Sequence, residues 1–168
     1  TVTIDGDDAK DFDDAISIVK NEKGYLLYVH IADVTHYVKE NSALDQEAYL
    51  RGNSIYVCDR VVPMLPFDLS NGICSLNPNV DRLTITCAMQ VDERGNLLTY
   101  NVFPSVIHSD KRCTYKKVNA CLAADETILE EYSEVKDLLF TLESLAKLLK
   151  KQSHNRGCID FNTKEAKI

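Results

Sequence analysis

The first fourteen residues of the chain hold six aspartates and a single basic residue, Lys10. The aspartates are Asp5, Asp7, Asp8, Asp11, Asp13 and Asp14. Two like charges about 4 Å apart repel by about 1 kcal/mol in water and about 4 kcal/mol near a protein surface. Converging carboxylates therefore need a compensating cation, and oxygen-rich, cysteine-free sites suit Mg²⁺ or Mn²⁺. The segment is a candidate divalent-metal site.

The simplest alternative is a solvated acidic loop, in which each aspartate faces water or caps a turn, as Asp5 before Gly6 readily does. Apolar residues flank the charges, with Ile4 before them and Phe12 and Ile16 among and after them. These residues tie the loop to a core, and this favours the metal site over a free acidic loop.

The spacing of the last three aspartates sets a geometric condition on shared ligation. In an extended segment, Asp11 and Asp13 would lie on one face about 6.6 Å apart, and Asp14 would point to the other face. Binding of one metal by all three carboxylates therefore predicts a bend in the chain between them.

Two other carboxylate chemistries fit the same residues less well. An EF-hand calcium loop starting at Asp5 would need a ligand where Ala9 stands, a glycine at its sixth position and a glutamate where Ile16 stands. A phosphatase of the haloacid dehalogenase type would begin with an apolar strand and Asp-x-Asp, as residues 4–7 do, but Ala9 stands where that pattern has Thr or Val. Both interpretations rank lower and remain open.

The elements that must position these residues begin with two β-hairpins. Alternation of apolar and polar residues predicts strands at 2–4, 15–19 and 25–31, of which the last two are joined by a polar turn. A second hairpin is predicted from runs at 83–91 and 97–107. The acidic residues therefore fall between the first two predicted strands.

Helical periodicity takes over in other parts of the chain. Ser42 is the predicted N-cap of a helix at 43–50, and further helices are predicted at 115–122 and over 135–149, with Gly157 ending the last of them. A final strand is predicted at 158–161. Residues 57–79 hold three of the four prolines and predict irregular backbone with at most one helical turn at 67–71. The fold class is therefore mixed α/β (α+β), with antiparallel hairpins plus helices.

Length and charge set limits on the class of protein. The chain has 168 residues, 45% of them hydrophobic and 27% charged, which suits one globular domain. No apolar run approaches the roughly 20 residues of a membrane span, so we expect no membrane partner. The net charge of −7 argues against binding nucleic acid by bulk charge alone. Without a signal peptide or initiator Met, we expect a cytoplasmic location and a piece of a longer protein.

The six cysteines include no C-x-x-C pair. We expect reduced, scattered and mostly buried thiols, because disulfide frameworks are far denser in cysteine. The four histidines lie at no spacing that would join the cysteines as tetrahedral ligands, so a zinc site is not predicted.

The segment TIDGDDAKDFDDA, residues 3–15, resembles the signature of the RNB catalytic domain of the ribonuclease II and ribonuclease R family. Further segments at 31–34, 63–66 and 69–78 are more similar to bacterial ribonuclease R than to ribonuclease II. The resemblance extends over nearly the whole chain, and it corresponds to the N-terminal part of that domain.

The resemblance implies a 3'-to-5' exoribonuclease that uses Mg²⁺ or Mn²⁺ in a two-metal mechanism and converts single-stranded RNA into nucleoside 5'-monophosphates. Its metal-binding and catalytic aspartates fall on Asp5, Asp11, Asp13 and Asp14. Asp13 is the residue whose loss we expect to abolish turnover while sparing RNA binding. Asp7 and Asp8 lie outside this set, and we expect them to be ordinary surface residues.

The base-stacking tyrosine of the family falls on Tyr56, although a core tyrosine is the alternative. The cold-shock and S1 domains that flank the family's catalytic domain have no counterpart in residues 1–168, nor has the arginine that contacts the scissile phosphate. We therefore expect the fragment alone to be weak or inactive. The rival interpretation is a non-enzymatic RNA-binding or scaffold fragment.

Overall fold

The computed structural model of the chain describes residues 1–159. Within them, eight strands form two sheets. The strands are β1 Val2–Asp5, β2 Asp14–Asn21, β3 Gly24–Ala32, β4 Ile55–Tyr56, β5 Val61–Val62, β6 Asp81–Val91, β7 Leu97–His108 and β8 Lys111–Thr114. Both predicted hairpins are confirmed, since β2 pairs with β3 and β6 pairs with β7, each antiparallel.

The same residues form five α-helices and one π-helical segment. These are α1 Val34–Tyr37, α2 Ala43–Arg51, the π-helical segment Asp68–Ile73, α3 Tyr115–Leu122, α4 Glu126–Glu131 and α5 Lys136–Asn155. At the start of α2 the Ser42 hydroxyl accepts a hydrogen bond from the Asp45 amide, as predicted for an N-cap. Gly52 ends this helix with a positive φ of 74°.

The main sheet has six strands in the order β7-β6-β3-β2-β1-β8. Neighbouring strands are antiparallel except at one edge, where β8 runs parallel to β1 and Asp5 lies opposite Thr114. The mixed α/β fold class is confirmed. The acidic residues between β1 and β2 lie at one end of this sheet, beside the start of α3.

Different elements cover the two faces of the main sheet. On one face, Leu139 and Leu145 of α5 are each 2% exposed and pack with Val2 and Ile18 of the strands. On the other face, Phe12 of the acidic segment packs with residues at and after the π-helical segment. This second core holds the acidic segment against the sheet.

Six features differ from the sequence predictions. Residues 57–79 include β5 and a π-helical segment that runs from Asp68 to Ile73 instead of a turn at 67–71. Strand β8 and helices α1 and α4 were not predicted, because each is too short to show a hydrophobic period. Cys158 and Ile159 are irregular, and the rest of the strand predicted at 158–161 lies outside the described residues.

All six thiols are free. Burial is confirmed for three of them and Cys87 is half-buried, but Cys58 and Cys158 are exposed, so the prediction of mostly buried thiols holds only in part. Burial raises the pKa of the Cys113 thiol to about 11, and this keeps it protonated and unreactive. Among residues 1–159, no helix is both long and apolar enough to span a bilayer.

Candidate active site

Residues 6–13, which join β1 to β2, form the acidic loop. Its second half is attached to the segment that follows the π-helical turn. The Ser75 hydroxyl accepts a hydrogen bond of 3.0 Å from the Phe12 amide and donates one of 3.2 Å to the Lys10 carbonyl. The Leu76 amide donates to the Phe12 carbonyl at 2.8 Å. Phe12 is only 3% exposed, so this half of the loop is held by buried hydrogen bonds and by packing.

The first half of the acidic loop is held by Arg112 of β8. Its Nη2 donates to the Asp7 carbonyl at 2.7 Å and to the Gly6 carbonyl at 3.3 Å. Its guanidinium carbon lies 5.1 Å from the centre of the Phe12 ring, within cation–π range. One arginine thus contacts residues near both ends of the loop.

The predicted bend between Asp11 and Asp14 is not confirmed, because the turn of the acidic loop lies earlier, at Asp7 and Asp8. Asp5 ends β1 and Asp14 begins β2, while Asp11 and Asp13 belong to the irregular loop between them. Asp13 and Asp14 are exposed, and Asp11 is half-buried. The Oδ2 atom of Asp5 is buried and has no hydrogen-bond partner.

Electrostatic coupling shows that these carboxylates lie near one another. Burial raises the pKa of Asp5, and the charges of Asp14, Asp11 and Asp13 raise it further, with Arg112 acting in the opposite direction. Partial desolvation also raises the pKa of Asp13, although this residue is exposed overall, and the charges of Asp11 and Asp14 add to the shift. Ionising this group of carboxylates together therefore costs free energy that a nearby cation would recover.

The donor set fits a hard divalent cation only in part. The carboxylates repel one another, and the buried, unpartnered oxygen of Asp5 is a free ligand atom. However, no three His, Cys, Asp or Glu side chains within residues 1–159 are arranged closely enough to hold a metal ion as they stand. The structure gathers Asp5, Asp11, Asp13 and Asp14 in one region without assembling them around one point.

Tyr56 lies on the small hairpin formed by β4 and β5. The hairpin turns at residues 57–60, where the Val57 amide donates to the Arg60 carbonyl at 2.9 Å. Its base is held by the Ser54 hydroxyl, which accepts a hydrogen bond from the Met64 amide. Tyr56 is 71% exposed, so it is not a core tyrosine.

Two cavities connect Tyr56 with the acidic loop. The first, of about 580 Å³, is lined by Asp8, Ala9, Lys10, Asp11, Tyr56, Val61, Phe67 and Asn71. The second, of about 490 Å³, has Asp11, Asp13 and Tyr56 in its lining, together with residues of β3 and of the segment around Met64. Both Asp11 and Tyr56 border both cavities. An exposed aromatic ring and two carboxylates therefore face the same recess, although 45 positions separate Asp11 from Tyr56 in the chain.

The structure also tests the surface role predicted for Asp7 and Asp8, and it shows residues that the sequence predictions missed. Asp7 and Asp8 are exposed, as expected of surface residues, but Asp8 also borders the first cavity. Sequence reasoning missed Arg112 and Ser75, which hold the acidic loop from positions far along the chain. Ser75 lies in the segment 69–78 that resembles the family, but nothing in that segment indicates a contact with the acidic loop, and Arg112 lies in none of the segments that carry the resemblance.

Known proteins share much of this sequence. The RNB domain family model matches residues 1–168. Ribonuclease R of Thermotoga maritima is 54% identical over 169 residues, which cover 99% of this chain and 24% of that protein. Ribonuclease R of Escherichia coli is 47% identical, over 99% of this chain and 21% of that protein. The chain spans about a quarter of the length of such relatives.

Solved structures share the fold. RNase R of Mycoplasma genitalium in complex with double-stranded RNA matches 98% of this chain and 29% of its own, with 39% identity and a TM-score of 0.87. The Dss1 exoribonuclease active site mutant from Candida glabrata matches at 26% identity with a TM-score of 0.84. Yeast Ssd1, a pseudonuclease, is 19% identical with a TM-score of 0.76, and shows the fold alone. With a family match over its full length and relatives near half identity, this chain belongs to the RNB domain family.

Proposed function

We propose that the chain is the N-terminal part of an RNB catalytic domain in a 3'-to-5' exoribonuclease. The natural protein that contains it would remove nucleoside 5'-monophosphates from the 3' end of single-stranded RNA. One observation carries the proposal: Asp11 and Tyr56 border the same cavities, and Asp13 shares one of them. An aromatic ring for a base thus lies beside carboxylates suited to metal-assisted phosphodiester hydrolysis.

The residues that would hold divalent cations are Asp5, Asp11, Asp13 and Asp14. The chemistry that bound Mg²⁺ or Mn²⁺ supplies at such a site is an acidified water nucleophile and stabilisation of the departing 3' oxygen. The raised pKa values of Asp5 and Asp13 support this assignment, because a cation would relieve the repulsion behind them. So does the unpartnered Oδ2 of Asp5.

The chain's own residues bind and orient the RNA in this proposal. Tyr56 offers an exposed ring on which any base can stack, and this suits degradation without sequence preference. The hairpin that carries Tyr56 is tied to the segment around Met64 through Ser54. The ring is therefore held at the border of both cavities.

RNA as the substrate is supported by the relatives. The Mycoplasma genitalium RNase R has been solved with double-stranded RNA and with ribose methylated single-stranded RNA. This chain has a net charge of −7, so it would not attract RNA by its own charge. In this proposal, basic parts elsewhere in the natural protein attract the RNA. Cold-shock and S1 domains, together with the rest of the catalytic domain, are the parts proposed for that task.

A non-enzymatic role is the second candidate, favoured because no three His, Cys, Asp or Glu side chains within residues 1–159 are close enough to hold a metal ion. In that case the chain would bind RNA or scaffold another protein without cutting. The phosphatase alternative is weakened by the RNB match over residues 1–168. The two remaining candidates differ in one measurable property, which is metal-dependent shortening of RNA.

The test compares the natural full-length protein with its Asp13→Asn variant on single-stranded RNA labelled at the 5' end. We expect a ladder that shortens from the 3' end only with Mg²⁺ or Mn²⁺ and only with Asp13 present. RNA binding by the variant, measured by fluorescence anisotropy, should stay within about twofold of the original. The matched control is Asp7→Asn, which removes an exposed aspartate outside the proposed ligand set and should leave the rate within about twofold.

Other results would contradict the proposed function or the role of Asp13. Continued degradation by Asp13→Asn would remove Asp13 from the mechanism. If the original protein bound RNA without shortening it, the non-enzymatic role would be favoured. If it hydrolysed a small phosphate ester and left the RNA intact, the phosphatase interpretation would be favoured. The 168-residue chain assayed alone should be weak or inactive, because it lacks a candidate for the phosphate-contacting arginine.

A further inference from the structure

The buried side-chain polar atoms that lack a hydrogen-bond partner in residues 1–159 are concentrated in one place. They are Thr3 Oγ1, Asp5 Oδ2, Ser109 Oγ and Arg112 Nε. Thr3 and Asp5 belong to β1, Arg112 belongs to β8, and Ser109 lies just before β8. Native proteins leave few such atoms unpaired, and those that remain call for a functional or structural explanation. The polar atoms without hydrogen-bond partners therefore lie at the edge of the main sheet, where β1 leads into the acidic loop.

Parallel pairing places Arg112 beside Asp5 at this edge. Thr3 lies opposite Arg112 and Asp5 lies opposite Thr114, so Arg112 is the diagonal neighbour of Asp5 on the same face of the sheet.

The Arg112 guanidinium also holds the acidic loop by hydrogen bonds and by packing. It donates to the carbonyls of Gly6 and Asp7 directly after β1, and it lies over the ring of Phe12 directly before Asp13. These contacts span the loop from end to end. They therefore relate the position of Asp5, before the loop, to that of Asp13 and Asp14 at its other end.

We propose that Arg112 is a positioning residue that holds the acidic loop in register with Asp5, so that the four aspartates can close on divalent cations. This inference rests on the proposed function of the same site. Arg112 borders neither of the cavities that contain Tyr56, and it lines a separate cavity together with Lys10 and Phe12. It acts through the backbone of the loop and through the ring of Phe12.

The chemistry of the guanidinium is specific to this task. A planar fork can donate to neighbouring carbonyls while its face rests on an aromatic ring, and the charge persists at every working pH. A lysine at the same position keeps the charge but has no planar fork or stacking face. The Arg112→Lys variant therefore separates positioning from simple neutralisation.

The experiment uses the natural full-length protein and Mn²⁺ without RNA. Binding is measured by electron paramagnetic resonance of free Mn²⁺ for the original protein, Arg112→Lys and Arg112→Met. We expect the dissociation constant for Mn²⁺ to rise at least tenfold in Arg112→Lys and further in Arg112→Met. The matched control is Arg51→Lys, because Arg51 also donates to a backbone carbonyl, that of Pro63, and its other hydrogen bond goes to Glu47, outside the acidic loop. Mn²⁺ binding by this control should stay within about twofold of the original.

Kinetics provide a readout that a general loss of folding would not give. In Arg112→Lys we expect a lower kcat at low Mn²⁺ that recovers at high Mn²⁺, with the KM for RNA within about twofold of the original. Melting followed by circular dichroism checks that the variant is folded. If Arg112→Met fails to fold, Arg112→Lys decides the question.

Several results would overturn the proposal. They include unchanged Mn²⁺ binding by folded Arg112→Lys, and loss of the fold in both variants, which would make Arg112 a general structural residue. Failure of the proposed function is distinguishable from these, since the original protein itself would then neither bind Mn²⁺ nor shorten RNA. In that case both proposals fall together.

Discussion

Asp5 combines two features expected of a metal ligand. One of its oxygens is buried without a partner, and the charges of three other aspartates act on it. A protonated carboxyl would relieve the repulsion, and so would a cation. Asp5 at the end of β1 and Asp14 at the start of β2 are held by strands, whereas Asp11 and Asp13 lie in the loop between them.

Tyr56 is the second residue on which the proposed site depends. Replacing it with alanine removes the exposed ring that borders both cavities, and we expect RNA binding to weaken by about 1 to 3 kcal/mol. Anisotropy with labelled single-stranded RNA, in the Asp13→Asn background that leaves RNA intact, measures the change. Tyr49→Ala is the matched control, because Tyr49 is 87% exposed on α2 but borders neither cavity. Equal loss in both variants would contradict a specific role for Tyr56.

At the scale of elements, the β2–β3 hairpin fixes the strand that begins with Asp14. Its tight turn ends at Gly24, which has a φ of 119° and pairs with Asn21. A Cβ atom at this position would press on the Val91 carbonyl oxygen and lie 2.8 Å from the Asp92 carbonyl carbon. Only glycine fits, both for its backbone conformation and for the close approach of the β6 end.

Gly24→Ala should therefore lower the free energy of unfolding by more than about 2 kcal/mol, through backbone strain and the forced movement of β6. Urea unfolding followed by circular dichroism measures the loss. Gly52→Ala serves as the control, since Gly52 also has a positive φ, of 74°, but open space around its Cα. This control should lose only about 1 kcal/mol. Equal losses would show that the close approach to β6 is unimportant.

At the scale of the whole molecule, a polar network joins four strands of the main sheet. His30 of β3 lies 3.0 Å from the Ser17 hydroxyl of β2 and 2.7 Å from the Thr86 hydroxyl of β6. Thr86 and Thr84 in turn contact Ser105 of β7, at 2.5 and 2.7 Å. His30 is 6% exposed, and burial lowers its pKa from the ordinary value of 6.5. The two hairpins are therefore linked by a histidine that the fold keeps neutral.

This network predicts a pH dependence of stability. Below pH 6.5 the unfolded chain binds a proton at His30 more readily than the folded chain does, so the free energy of unfolding falls as the pH drops below that value. Above it, the contribution of His30 is fully present. Urea unfolding between pH 5 and pH 8 measures the slope, and His30→Gln should flatten it. The control His36→Gln, at an exposed position, should keep the original slope; a slope unchanged by His30→Gln would contradict the prediction.

Local chemistry allowed much of the fold to be predicted from the sequence. The strand alternation of both hairpins, the Ser42 cap of α2 and the apolar face of α5 are properties of residues close together in the chain, and each was confirmed. The short helix α4 was missed although Asp125 caps it, because its six residues are too few to show a period. The RNB signature was likewise readable, since it occupies one continuous segment.

Only the tertiary structure brought the parts of the candidate site together. Strand β8 has a polar sequence without an alternating pattern, yet its pairing with β1 places Arg112 beside Asp5, 107 positions away. The approach of Tyr56 to Asp11 has the same origin. Contacts between distant residues depend on how the whole chain closes around its cores, and no local pattern of residues encodes them. The sequence by itself thus determined which chemical groups the site has, and the tertiary structure decided which of them meet.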